Sequence, residues 1–85
     1  MTSEGKLPNQ LPWRDFVRVL KQLGYDLFES KPGSARVFFC PTRSPDLVVF
    51  HEPHGKEPLR EGTLPEYLRK LQISREQFLQ ILKSR

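Results

Sequence analysis

Apolar residues recur at three- and four-residue steps from Trp13 through Phe16, Val17 and Leu20 to Leu23, with Arg14, Asp15, Arg18 and Lys21 between them. That period marks an amphipathic helix with one face turned to a core. Pro12 suits the first turn, where a missing amide proton costs nothing, and Gly24 stands just past the last apolar position, where a left-handed cap is wanted. The helix is therefore expected to begin near Pro12 and stop at Gly24, with Tyr25 folded back on its final turn.

Beyond Gly24 the period changes. Tyr25 to Glu29 alternates loosely but is rich in aromatics, and Val37-Phe38-Phe39-Cys40 and Leu47-Val48-Val49-Phe50 are short apolar runs of strand composition. Lys31-Pro32-Gly33-Ser34 and Pro41-Thr42-Arg43-Ser44-Pro45-Asp46 are turn-rich connections between them. Such short links cannot make parallel crossovers, so the three strands are expected to form an antiparallel meander. Prolines and glycines from His51 to Gly62 predict a long surface loop.

Helical patterning returns at Thr63. Thr63-Leu64-Pro65-Glu66 has the spacing of a capping box, with Leu64, Tyr67, Leu68 and Leu71 as the buried face behind it. Ser74-Arg75-Glu76-Gln77 repeats the capping pattern, and Phe78, Leu79, Ile81 and Leu82 supply the apolar side of a short last helix. The expected class is α+β: helix, three-stranded antiparallel sheet, helix, short C-terminal helix. Residues 1–10, with Gly5 and Pro8 and no periodicity, read as a flexible N-terminal arm ahead of a single domain over 11–85.

Composition narrows the functions open to this chain. At 85 residues, 36% hydrophobic and 28% charged, it is too short for a two-domain enzyme and too apolar for a disordered segment. No apolar run spans a membrane and no signal peptide opens the sequence, so a soluble, cytoplasmic protein is expected. The lone Cys40 cannot close an internal disulfide, and with two histidines it cannot fill a structural zinc site unaided. Fourteen Lys and Arg against ten Asp and Glu leave a net charge of +4, which makes a polyanion a reasonable partner. The cations are scattered along the chain, so no unstructured basic tail is present.

Three places carry candidate chemistry. His51 and His54 bracket Glu52 and Pro53, types that bind metals or move protons, but their spacing is unspecific and solvated or hydrogen-bonded loop histidines are the plainer reading. Cys40, inside an apolar strand, reads as a small buried side chain. The turn from Lys31 to Arg36 is more informative: Gly33 can present backbone amides, Ser34 a hydroxyl, and Lys31 and Arg36 fixed cations, a set suited to a phosphate. An ordinary strand-to-strand turn has the same residues.

The chain also resembles the HicA family of toxin–antitoxin mRNA interferases over nearly its whole length. The matching pieces are Gly5-Lys6-Leu7-Pro8, Leu20 to Gly24 and Lys31-Pro32-Gly33-Ser34, then Pro53-His54-Gly55, Leu59, Gly62-Thr63-Leu64, Leu68 and Leu71 to Ile73. Their order and spacing carry the resemblance. It implies a double-stranded-RNA-binding-domain-like fold, metal-independent RNA cleavage without a cofactor, RNA as substrate and a HicB-type antitoxin as partner. The family's catalytic histidine directly follows the glycine-serine pair, and Ala35 stands there in this sequence.

A methyl group cannot take the proton of a ribose 2′-hydroxyl. General acid–base catalysis contributes about a hundred- to ten-thousand-fold, so the family's route is expected to be disabled at Ala35. Phosphate contacts from Lys31 and Arg36, with Ser34 and Gly33 helping, do not depend on the missing imidazole. His54 is a secondary candidate base, although nothing in the sequence brings its loop to Ala35. Either a natural member has drifted at this position or a histidine was deliberately changed to alanine; the intact pattern around it favours the second. The rival function is a non-catalytic RNA- or protein-binding regulatory module.

Overall fold

The computed structural model describes residues 7–8, 10–60 and 62–84. In chain order the elements are β1 (Gln10–Leu11), α1 (Trp13–Leu23), β2 (Asp26–Ser30), β3 (Ala35–Phe39), β4 (Leu47–His51), β5 (Leu59–Arg60), α2 (Thr63–Leu71) and α3 (Arg75–Lys83). β2, β3 and β4 form an antiparallel sheet in that order, and β1 pairs with β5 in a separate two-stranded ribbon. The α+β class read from the sequence is the one observed, and it is compatible with a double-stranded-RNA-binding-domain-like arrangement.

Local sequence explains the ends of α1. The Pro12 carbonyl accepts from the Asp15 and Phe16 amides at 3.0 and 3.2 Å, so the residue that lacks a donor still closes the first turn. At the other end Gly24 adopts φ 107°, and the Tyr25 amide reaches back to the Leu20 carbonyl at 2.9 Å. A Cβ on Gly24 would lie 3.1 Å from the buried Cys40 Sγ. Gly24→Ala therefore forces an L-residue into the left-handed region and presses it on the thiol. We expect a loss of about 1–3 kcal/mol, read as a lower urea midpoint at unchanged slope.

One core joins helices to sheet. Phe16, Val19 and Leu20 of α1 meet Phe38, Val48 and Phe50 of the sheet, Leu64, Tyr67, Leu68 and Leu71 of α2, and Phe78 of α3. The Phe16 ring stands edge-on to Phe50 at 5.0 Å between centroids, and Phe50 lies 4.6 Å from Tyr67. Trp13 packs partly buried against this cluster. Ser74 caps α3 as expected, its hydroxyl accepting from the Gln77 amide at 3.0 Å. Arg18 closes the far end of α3, donating to the Leu82 and Ser84 carbonyls that have no helical partner of their own.

Three local expectations are corrected. His51 is the last residue of β4 and not part of the following loop, and Leu59 within that loop pairs with Leu11. Both leucines are buried, so burial holds a two-residue ribbon too short for propensity to reveal. Residues 1–6 and 9 of the expected arm lie outside the described residues; Leu7 is packed into the core and Gln10 pairs with Arg60, so ordered structure starts ahead of Pro12. Thr63 is already helical, and Gly62 precedes α2 without a side-chain cap. Pro65 then falls in the first turn, where its missing amide donor costs no helical bond.

Candidate functional site

The pairing of β3 with β4 sets one end of the sheet. Ala35 lies directly opposite His51, and Arg36 opposite Phe50. Side chains alternate between faces, so Arg36 shares the core side with Phe38 and Phe50, while Ala35 and His51 share the outer side with Val37 and Val49. Just beyond, the turn between β2 and β3 is closed by the Lys31 amide on the Ala35 carbonyl at 3.0 Å, with Gly33 at φ 85°. The Ser34 carbonyl accepts from the Glu52 amide at 2.8 Å, which ties the turn to the chain leaving β4.

Arg36 organises this turn. Its Nε donates to Glu52 Oε1 at 3.0 Å, and Nη1 donates to the Gly33 and Ala35 carbonyls at 3.0 and 2.9 Å, with a longer contact to the Lys31 carbonyl. A planar guanidinium with five donors can satisfy several carbonyls at once, which a lysine cannot. The Arg36–Glu52 pair is partly buried, whereas Lys31 faces Glu29 across 3.6 Å with both side chains about half exposed. Such a surface pair contributes little, so the Lys31 ammonium stays available to an anion.

Gly33, Ser34 and Arg36 line an open cleft of about 500 Å³ together with Glu52, Pro53, His54 and Gly55. The loop carrying His54 thus reaches the turn after all, folded back by Gly55 at φ 57° and by the Glu57 amide on the His54 carbonyl at 3.1 Å. Ala35 is not part of this lining.

His51 is fixed more firmly than a loop residue. Its amide donates to Tyr67 Oη at 3.1 Å, the same hydroxyl approaches its carbonyl at 3.4 Å, and its Nδ1 lies 3.1 Å from Ser34 Oγ. Lys70 of α2 covers the neighbouring strand edge, donating to the Val49 carbonyl at 2.8 Å. The sequence holds one sign of this placement: Leu47, Val49 and His51 continue a two-residue step past the end of the apolar run. Cys40 is buried, its Sγ 3.4 Å from Thr42 Oγ1. Among the described residues no three His, Cys, Asp or Glu side chains are grouped to hold a metal ion, and no helix is long and apolar enough to cross a membrane.

Helices packed on one face of a three-stranded antiparallel sheet, with a basic glycine-serine turn at its end, define a small α+β domain whose arrangement is compatible with a double-stranded-RNA-binding-domain-like fold. Residues 13–73 match the family model described as the HicA toxin of bacterial toxin–antitoxin systems. The chain belongs to that family, and as a toxin of such a system it has an antitoxin as its partner. No curated protein and no solved structure matches it.

Proposed function

We propose that this toxin acts on RNA as an mRNA interferase scaffold, with the turn over residues 31–36 as its phosphate site and the family's histidine route closed at Ala35. The observation that carries this reading is the convergence of Gly33, Ser34 and Arg36 with His54 and Gly55 around one open cleft. Lys31, at the start of the same turn but outside the cleft lining, adds a half-exposed cation held only by a surface pair with Glu29. Arg36, paired with Glu52, holds the Gly33 and Ala35 carbonyls and so fixes the turn that carries Gly33 and Ser34. Contacts of this kind read phosphates and ribose hydroxyls, and they suit a net charge of +4 without a base-reading motif.

The antitoxin in this reading is of the HicB type, and its task is to cover the basic turn from RNA in the cytoplasm. Ala35 favours one further reading, a module that regulates by RNA or protein occupancy without turnover, because the methyl group removes chemistry and leaves binding. Both readings require RNA affinity that falls with salt. Expected for a short single-stranded RNA is a linear fall of log affinity with log salt, and for Lys31→Ala a slope shallower by about 0.7, one released counterion. Affinity indifferent to both salt and Lys31 removes RNA as the ligand of this turn.

A further inference from the structure

We propose that His51 supplies the imidazole that position 35 lacks, acting as the general base on the ribose 2′-hydroxyl; this rests on the RNA reading above. Directly opposed residues in an antiparallel pair have Cβ atoms about 4.5–5.5 Å apart on the same face of the sheet. His51 is the residue directly opposite Ala35, so its ring is rooted beside the place a side chain from residue 35 would occupy. With only a methyl group at 35, the outer face there is open to that ring.

The ring is also oriented. Ser34 Oγ lies 3.1 Å from Nδ1, and in the tautomer whose Nδ1–H donates to this hydroxyl the Nε2 lone pair is free to accept a proton. Nε2 has no partner among the described residues, and His51 is exposed. The backbone under it is pinned on both sides, by Tyr67 Oη on the His51 amide and by the Ser34 carbonyl on the Glu52 amide. His51 does not line the cleft itself, but Ser34, its hydrogen-bond partner, does, so the base stands at the edge of the proposed phosphate site, where proton abstraction needs it.

The step balances without a metal or cofactor. Nε2 takes the 2′-hydroxyl proton, the 2′-oxygen bonds to the adjacent phosphorus, and the bond from phosphorus to the 5′-oxygen breaks. Water gives the departing 5′-oxygen its proton, the imidazolium returns its own to water, and a 2′,3′-cyclic phosphate remains.

His51→Asn tests the role, because the asparagine amide can keep a hydrogen bond to Ser34 but cannot act as a base. Cleavage of a long unstructured RNA is compared for the unchanged chain, His51→Asn, and His51→Asn combined with Ala35→His. Expected is slow cleavage by the unchanged chain and a loss of about a hundredfold in kcat for His51→Asn, the low end of acid–base contributions. RNA affinity and urea midpoint stay unchanged, and the acidic limb of the pH–rate profile is lost. Equal rates for the unchanged chain and His51→Asn, with the combined variant active, overturn the role of His51 and leave the RNA reading standing. No cleavage and no RNA binding by any form overturns both.

Discussion

Placing histidine at residue 35 in the His51→Asn background is expected to speed RNA cleavage about a hundred- to ten-thousand-fold over His51→Asn alone. The site is ready for it. Residue 35 opens β3 in extended backbone that any L-residue adopts, its carbonyl is already engaged by the Lys31 amide, and the residue is only half-buried on the outer face. The imidazole would therefore enter without displacing core atoms, and a change at such a position leaves stability within about 0.5 kcal/mol. A gain in rate at constant urea midpoint assigns the effect to chemistry. An unchanged rate takes residue 35 out of the reaction, whatever the family pattern implies.

Phe50→Ala has the other large expected effect, and it acts on the fold that aims the site. Phe50 is fully buried, edge-on to Phe16, tilted against Tyr67 at 4.6 Å and 6.3 Å from Phe38. Truncation of a buried phenylalanine costs about 3–5 kcal/mol, because the cavity between ring neighbours collapses only in part. A domain of 85 residues has about 4–13 kcal/mol in all, so this one change removes a large share of it. Denaturant unfolding followed by circular dichroism measures the loss. Since Phe50 lies opposite Arg36 and next to His51, RNA affinity is expected to fall with the folded fraction. A loss below about 1 kcal/mol would contradict the close packing described for this cluster.

Elements with a strong period are legible in the sequence alone. The three- and four-residue steps of α1 and α3, the glycine stop at Gly24 and the Ser74 cap follow from physics local to a few residues. The ribbon of β1 and β5 was hidden because burial of Leu11 against Leu59 makes it, and no window of sequence contains both. The same holds for the site. Lys31, Gly33, Ser34, Ala35 and Arg36 are neighbours in sequence, so their turn could be read as a phosphate candidate. His51, Glu52 and His54 join it only through strand register and a folded-back loop, which composition does not encode.

Arg36 shows a different gap between sequence and structure. Its cation was legible, but four polar contacts to the turn and to Glu52 give it a positioning duty that no residue pattern announces. The alternation of Leu47, Val49 and His51 is present in the sequence, but Pro53 two residues on gives the stretch the composition of a loop.

End-group analysis of a long unstructured RNA, incubated with the Ala35→His form in the presence of a chelator, tests most directly the claim that RNA phosphodiester is the substrate. The account predicts fragments with 2′,3′-cyclic phosphate and 5′-hydroxyl ends, as internal attack by the ribose 2′-oxygen requires. Intact RNA, or fragments that form only when a divalent metal is restored, would contradict it.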